Sequence, residues 1–255
     1  MRRRLLLEGE LVPFVAGFPP GRRWLMLAPH PDDETLGPGA TVALAVRAGV
    51  HVEVQILTDG AAQGEAGVRE AEARRAAAIL GVAGVQLWGL PDRSLHPGDA
   101  SLRRRLIRLL STSPADTVLL PSPVELHPDH RALALTVQRV VRRLTIAGLR
   151  RRGPRYVVCY EVSAALLPNL LVAADDGWEA KRAAAACYAS QLAVRPYLEV
   201  AEGLGAFRAL TLHGARRAEA FHVVSSRQLA RWSAWRWAAA MGSPRTVQPR
   251  PMKGT

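Results

Sequence analysis

"WLMLAPHPDDETLG", Trp24–Gly37, runs from an apolar stretch directly into two adjacent aspartates and a glutamate. The apolar run Trp24–Ala28 lies between Arg23 and Pro29, which suits a buried parallel strand. The acids therefore stand at the carboxyl end of that strand. Crowding Asp32, Asp33 and Glu34 behind His30 costs electrostatic repulsion, so the cluster calls for positive charge nearby. A helix start supplies a partial charge. A divalent cation supplies a larger one and turns the repulsion into coordination.

Working outward, Val42, Ala45 and Val46 recur at helical spacing and Gly49 supplies a stop, with Pro38 tolerable only in a first turn. "HVEVQILT", His51–Thr58, is β-branched and alternating, the pattern of a second strand. "VREAEARRAAAILG" follows as a helix, with Glu70 four residues before Arg74 and Gly81 just past the end. Val85–Leu90 reads as strand three, Leu102–Leu110 as a helix, Asp116–Pro121 as strand four, Pro128–Ala147 as a helix and Arg155–Glu161 as strand five. Helices are expected over Trp178–Leu192, Leu198–Leu210 and Arg227–Met241, with a short strand at Phe221–Val224. Strands alternating with helices of this length specify an α/β fold, a mostly parallel sheet of about five or more strands with helices on both faces.

A chain of 255 residues accommodates one large α/β domain or two small ones. Its apolar fraction is 49%, yet nothing approaches the run of about 18 apolar residues needed to span a membrane. In "MRRRLLLEGELVPF" Glu8 and Glu10 interrupt the apolar stretch before signal-peptide length, so residues 1–22 read as a cytoplasmic N-terminal arm. Cys159 and Cys187 form no CxxC pair and read as buried free thiols, which suits a reducing compartment. The formal net charge is +12, almost all of it arginine dispersed among alanines. Solvated faces account for that pattern, and no dedicated nucleic-acid site is expected. The Pro-rich tail, residues 242–255, reads as flexible.

Polar motifs close four of these strands: HPDDE after the first, "TDG" (Thr58–Gly60) after the second, "GLPD" (Gly89–Asp92) after the third and "ELHPDH" (Glu125–His130) after the fourth. Ligands of open parallel sheets bind outside the carboxyl ends of the strands. All four stretches thus converge on one crevice. His30, Asp33 and His130 offer two imidazoles and a carboxylate, a donor set that holds catalytic zinc and leaves a position for water. Asp32, next to Asp33, is free to face that water as a base. His127 lies one helical turn from His130 and reads as the group that stabilises an oxyanion. Asp129 reads as an outer carboxylate that fixes an imidazole tautomer, and Glu34 as support at the helix start. The competing reading of each cluster is helix capping. The coincidence of complementary ligands at strand ends of one sheet favours the metal site.

HPDDE, TDG, the R-x-x-E helix ending in LG (Arg69 and Glu72), GLPD and HPDH, in this order, resemble the PIG-L-like, or LmbE-like, family of zinc-dependent N-acetylglucosaminyl deacetylases. The resemblance continues through "KRAAAACYASQ" from Lys181 and "RAEAF" from Arg217, so it spans about residues 24–224. It implies a Rossmann-like fold in a single domain over residues 23–241. It also implies zinc on His30, Asp33 and His130, Asp32 as general base and His127 as transition-state stabiliser. Arg69 and Asp92 are implied to contact the sugar of an N-acetylated sugar or glycoconjugate. Two departures stand out: the Gly37-Pro38-Gly39-Ala40 cluster lacks a second glycine pair, and Glu125 replaces an aromatic of some relatives, which would change substrate gating.

Ferrous iron suits the same donor set as zinc. A deacylase of another N-acyl amide, such as a secondary metabolite, and a non-catalytic polyanion- or membrane-binding relative are the alternative functions. His51, His96, His213 and His222 lack partner spacing and read as structural or surface residues, and Lys181, Tyr188 and Gln191 as packing residues of a surface helix. The C-terminal helix with Trp232, Trp235, Trp237, Arg227, Arg231 and Arg236 would suit peripheral contact with a membrane. Packing of Trp232 and Trp235 on the domain is the preferred reading.

Overall fold

In the computed structural model of the chain, which describes residues 14–146 and 153–242, a short strand β1 (Val15–Ala16) precedes β2 (Arg23–Ala28), the apolar run. Leu25 and Leu27 turn into one apolar layer; Trp24, Met26 and Ala28 turn into the other. A two-residue repeat imposes that alternation, and burial on both faces is why the run carries no polar residue between its apolar ones.

The remaining strands are β3 (His51–Thr58), β4 (Gly84–Leu90), β5 (Thr117–Pro121), β6 (Tyr156–Tyr160), β7 (Leu170–Ala173) and β8 (Ala218–Ser225). They form one eight-stranded sheet in the order β1-β7-β8-β6-β5-β2-β3-β4. Its pairs are parallel except those that β8 makes with β6 and β7. The expected α/β architecture is present, with a larger, mixed sheet. From β2 the chain proceeds outward through β3 to β4 and then returns to β5 on the other side of β2. That reversal opens a crevice above the carboxyl ends of β2 and β5, the usual ligand position in such sheets.

Helices cover both faces: α1 (Asp33–Leu36), α2 (Gly39–Arg47), α3 (Ala66–Leu80), α4 (Ala100–Thr112), α5 (Pro128–Ile146), α6 (Asp175–Ala185), α7 (Ala189–Leu192), α8 (Tyr197–Ala209), α9 (Ser226–Leu229) and α10 (Ala234–Ala240). Leu102, Leu106 and Leu110 of α4 pack with Leu133 and Val137 of α5 and Trp237 of α10 against Leu25, Leu27 and Val118. On the opposite face Val42, Ala76 and Ala184 of α2, α3 and α6 meet Met26, Val54 and Ile56. Local signals explain several ends. Asp99 caps α4 by accepting from the Ser101 amide at 2.7 Å, and Gly81 closes α3 at φ 72°, a left-handed conformation that glycine adopts cheaply.

The structure divides two expected helices. Trp178–Leu192 breaks after Ala185, because Tyr188 turns inward and its hydroxyl donates to the buried Glu34 carboxylate. Arg227–Met241 breaks at Ser233, whose hydroxyl accepts from the Arg236 amide at 3.1 Å and starts α10. Trp237 is then wholly buried, Trp232 packs against the same core and Trp235 is 65% exposed. The preferred packing reading fits Trp232 but not Trp235. Strands β1 and β7 were not anticipated; each is short and gains its hydrogen bonds from partners distant in sequence. Cys159 is buried, whereas Cys187 is only half-buried. Ala147 and the tail beyond Gly242 lie outside the described residues, as does most of the N-terminal arm. No helix among the described residues is long and apolar enough to cross a membrane.

Candidate active site

The site grows from the turn after β2. Thr58, at the end of β3, donates its amide and its hydroxyl to Pro29 O, both at 2.8 Å, and so fixes the turn to the sheet. The Asp33 carboxylate accepts the His30 amide at 2.8 Å. Asp32 sits between them at φ 124°, a conformation that costs a non-glycine residue about 1–3 kcal/mol. Its surroundings enforce it. Glu34 Oε2 accepts the Asp32 amide at 3.1 Å, and Arg69 Nη2 donates to Asp32 Oδ2 at 3.3 Å and to Pro31 O at 2.5 Å. Gly37 ends the turn against β6, where a Cβ would stand 2.6 Å from Tyr160 Cδ2.

The twist gives the two aspartates different neighbours. Asp33 Oδ2 is 3.1 Å from His30 Nδ1 and 3.2 Å from His130 Nε2, and those two nitrogens are 3.2 Å apart. Ligands held about 2.0–2.1 Å from a tetrahedral ion stand roughly 3.3–3.4 Å from one another, so this triangle fits a divalent cation. Two further groups also bring ligand atoms together, His30 with His127 and His130, and His30 with Asp92 and Asp129. The first is the weaker candidate because His127 Nδ1 already accepts the Asp129 amide at 3.2 Å. In the second, Asp129 and Asp92 both meet His30 Nε2, each at 3.2 Å, which is the nitrogen facing away from the triangle.

Charge balance points the same way. Asp32, Asp33, Glu34, Glu125 and Asp129 are all buried around the two histidines, with Arg69 as the accompanying guanidinium. Burial alone would depress both imidazoles. The carboxylates overcome it, raising His30 well above its ordinary value through Asp129, Asp33 and Asp92, and His130 to about 9 through Asp33 and Glu125. A divalent cation would replace those two protons with equivalent charge. Asp33 resists its own burial because His130 and His30 hold its carboxyl far below the usual carboxylate range. Asp32 behaves oppositely: burial first, then the Asp33 charge, pushes it up to about 7, against the pull of Arg69. His127 is lowered by burial and by His30 and His130. With Nδ1 accepting an amide, the neutral ring carries its proton on Nε2.

A cavity of about 420 Å³ opens beside these groups. His30, Asp32, Asp33, Arg69, Asp92, His127 and His130 all reach it; Leu36, Val162, Tyr197, Val200 and Leu204 form an apolar wall. Arg69 and Asp92, expected to meet substrate, also touch Asp32 and His30 respectively. Asp129 is fully buried, accepting the Arg93 and Leu95 amides at 2.8 and 3.1 Å beside His30.

Residues 25–141 match the family model described as PIG-L: GlcNAc-PI de-N-acetylase. A diacetylchitobiose deacetylase of Thermococcus kodakarensis is 30% identical over 191 residues, which are 67% of this chain and 70% of the relative. The chain belongs to the PIG-L family. Among solved structures, the N,N'-diacetylchitobiose deacetylase of Pyrococcus horikoshii superposes with TM-score 0.68 at 23% identity, covering 81% of this chain and 85% of that one. A conserved protein of Thermus thermophilus superposes with TM-score 0.68 at 29% identity, covering 78% and 93%.

Within this PIG-L fold several residues that sequence reasoning left outside the site, or misread, belong beside it. Glu125, read as a change in gating, is fully buried and absent from the cavity wall. Its carboxylate accepts the Val162 and Ser163 amides at 2.7 and 2.9 Å and stands 3.7 Å from His130 Nδ1. Tyr188 and Gln191, read as packing on a surface helix, are buried; Tyr188 donates to Glu34 and Gln191 lines the cavity. Lys181 is buried too, donating to Gly37 O at 2.7 Å and to Glu219 at 2.6 Å. Glu219 in turn accepts the Ala40 and Thr41 amides at the start of α2. The segments "KRAAAACYASQ" and "RAEAF" carried the signal, because the first supplies buried Lys181 and Tyr188 to the acidic turn and the second supplies Glu219 to Lys181 and the start of α2.

Proposed function

We propose that this chain is a metal-dependent amide hydrolase that removes the acetyl group from an N-acetylglucosamine-type sugar or glycoconjugate, releasing acetate and a free amine. One observation carries the reading: three ligand atoms 3.1–3.2 Å apart open onto a cavity that also holds Asp32 and His127. The T. kodakarensis relative, a diacetylchitobiose deacetylase, supports the substrate class.

In this proposal His30, Asp33 and His130 hold the ion, zinc by first preference, with ferrous iron suited to the same donors. When bound, such an ion polarises the amide carbonyl and acidifies water. The Asp32 carboxylate takes the proton of the attacking water and, once protonated, returns it to the leaving nitrogen. His127 donates its Nε2–H to the oxygen that gains negative charge as the carbonyl becomes tetrahedral. Asp129 accepts from His30 Nε2 and so fixes the tautomer that presents Nδ1. Glu34 holds the strained Asp32 backbone. Arg69 and Asp92 bind the sugar while steadying Asp32 and His30. The free thiols Cys159 and Cys187 support a cytoplasmic setting.

The apolar wall of Leu36, Val162, Val200 and Leu204 favours a second reading in which the acyl group or aglycone is larger and apolar. A panel of free, lipid-linked and polymeric N-acetylglucosaminides, with acetyl and longer acyl chains, separates the two when released acid is scored. The first reading expects acetate from at least one N-acetylglucosaminide and less product with longer acyl chains; no acetate from any member would overturn it.

A further inference from the structure

Read along the chain the arginines look dispersed, but folding segregates them. Helix α4 carries Arg103, Arg104, Arg105 and Arg108. Beside it α5 carries Arg131, Arg139, Arg142 and Arg143. Seven of these eight are exposed and Arg103 is half-buried. The acid of these two helices is Asp129, which is buried in the active site. None of the eight joins an ion pair among the described residues. Two make neutral contacts instead: Arg105 stacks on Trp88 at 3.8 Å and Arg139 donates to Pro97 O. The other side of the sheet is balanced. There Arg74 pairs with Glu70 and Arg182 with Glu202, and Asp175, Asp176 and Glu179 add further acids.

We infer that the α4–α5 side is a docking face for an anionic lipid bilayer. Exposed guanidinium groups without ion pairs on two neighbouring helices complement a layer of lipid phosphates and carboxylates. What selects a bilayer over a nucleic acid is the apolar fringe of the same side. Ile146 ends α5 at 70% exposure, and Trp235 of α10 is 65% exposed. The α10 segment is anchored to that side by the buried Trp237 and by the Gln138 side-chain amide, which donates to Trp232 O at 3.1 Å. Arginines with an exposed tryptophan and isoleucine suit the headgroup boundary, where the charges meet phosphate and the apolar groups leave water. A duplex offers phosphates but no such layer.

Vesicle co-sedimentation of the full-length chain tests this with phosphatidylcholine alone and with added phosphatidylserine, at low and high salt. The wild type should bind only the serine-containing vesicles and release as salt rises. The variant R104Q/R108Q/R142Q should lose binding by roughly tenfold to a hundredfold. The variant R74Q/R75Q/R182Q removes equal charge from the opposite face and should bind as the wild type does. Circular dichroism checks that both variants fold. Brominated phosphatidylserine adds a measurement on the wild type, which should show quenched tryptophan fluorescence. Absence of vesicle binding, equal loss in both variants, unquenched fluorescence, or duplex DNA displacing the vesicles would each overturn the inference.

Discussion

Asp32 and Asp33 are one peptide apart and are driven in opposite directions, one toward holding a proton near neutrality and the other toward permanent ionisation. Geometry separates them, since φ 124° at Asp32 aims consecutive side chains at different partners. The sign of the pH dependence follows. A base must be deprotonated, so kcat/KM falls as pH drops through the Asp32 value, and a bound cation draws that acid limb below about 7. Arg69 also lowers Asp32, so Arg69→Met should move the acid limb to higher pH in a pH–rate profile. An unmoved limb would mean that Arg69 does not act on Asp32. The HPDDE and HPDH motifs were legible because each gathers its imidazoles and carboxylates within a few residues and their chemistry is carried by residue type. The strain at Asp32 was not, because it comes from Glu34 and Arg69 acting on a backbone angle.

Elements position these residues through long-range polar contacts, which is where sequence reading stopped. Glu125 meets Ser163 across 38 residues, Tyr188 meets Glu34 across 154 and Glu219 meets Thr41 across 178. No local periodicity announces such partners. Glu125 ties the β5 turn to the cavity wall and faces His130, so Glu125→Gln should weaken metal binding by roughly 10- to 100-fold, read by competition with a chromophoric chelator. Unchanged affinity would reduce Glu125 to a loop anchor. The pair of Lys181 and Glu219 joins α6, β8 and the start of α2, with both side chains buried. Glu219→Ala strands the lysine and should cost about 3–5 kcal/mol in urea unfolding. A cost under about 1 kcal/mol, the scale of an exposed pair, would contradict that role.

Across the whole molecule, the order of strands decides where chemistry can occur. The β2, β3, β5 and β6 core was legible from apolar runs, whereas β7 and the antiparallel direction of β8 depend on pairing that short segments do not encode. Because β2 and β5 flank the reversal, the two histidine motifs meet although His30 and His130 are 100 residues apart. Their juxtaposition makes the proposed metal site a property of the folded chain. The most direct test strips the protein with a chelator, adds back zinc in measured equivalents and follows acetate release from an N-acetylglucosaminide. The expected result is negligible release from the stripped chain, a rise with added zinc that saturates at about one equivalent, and no recovery in His130→Ala. Full acetate release from the stripped wild type, or zinc-restored release from His130→Ala, would contradict it.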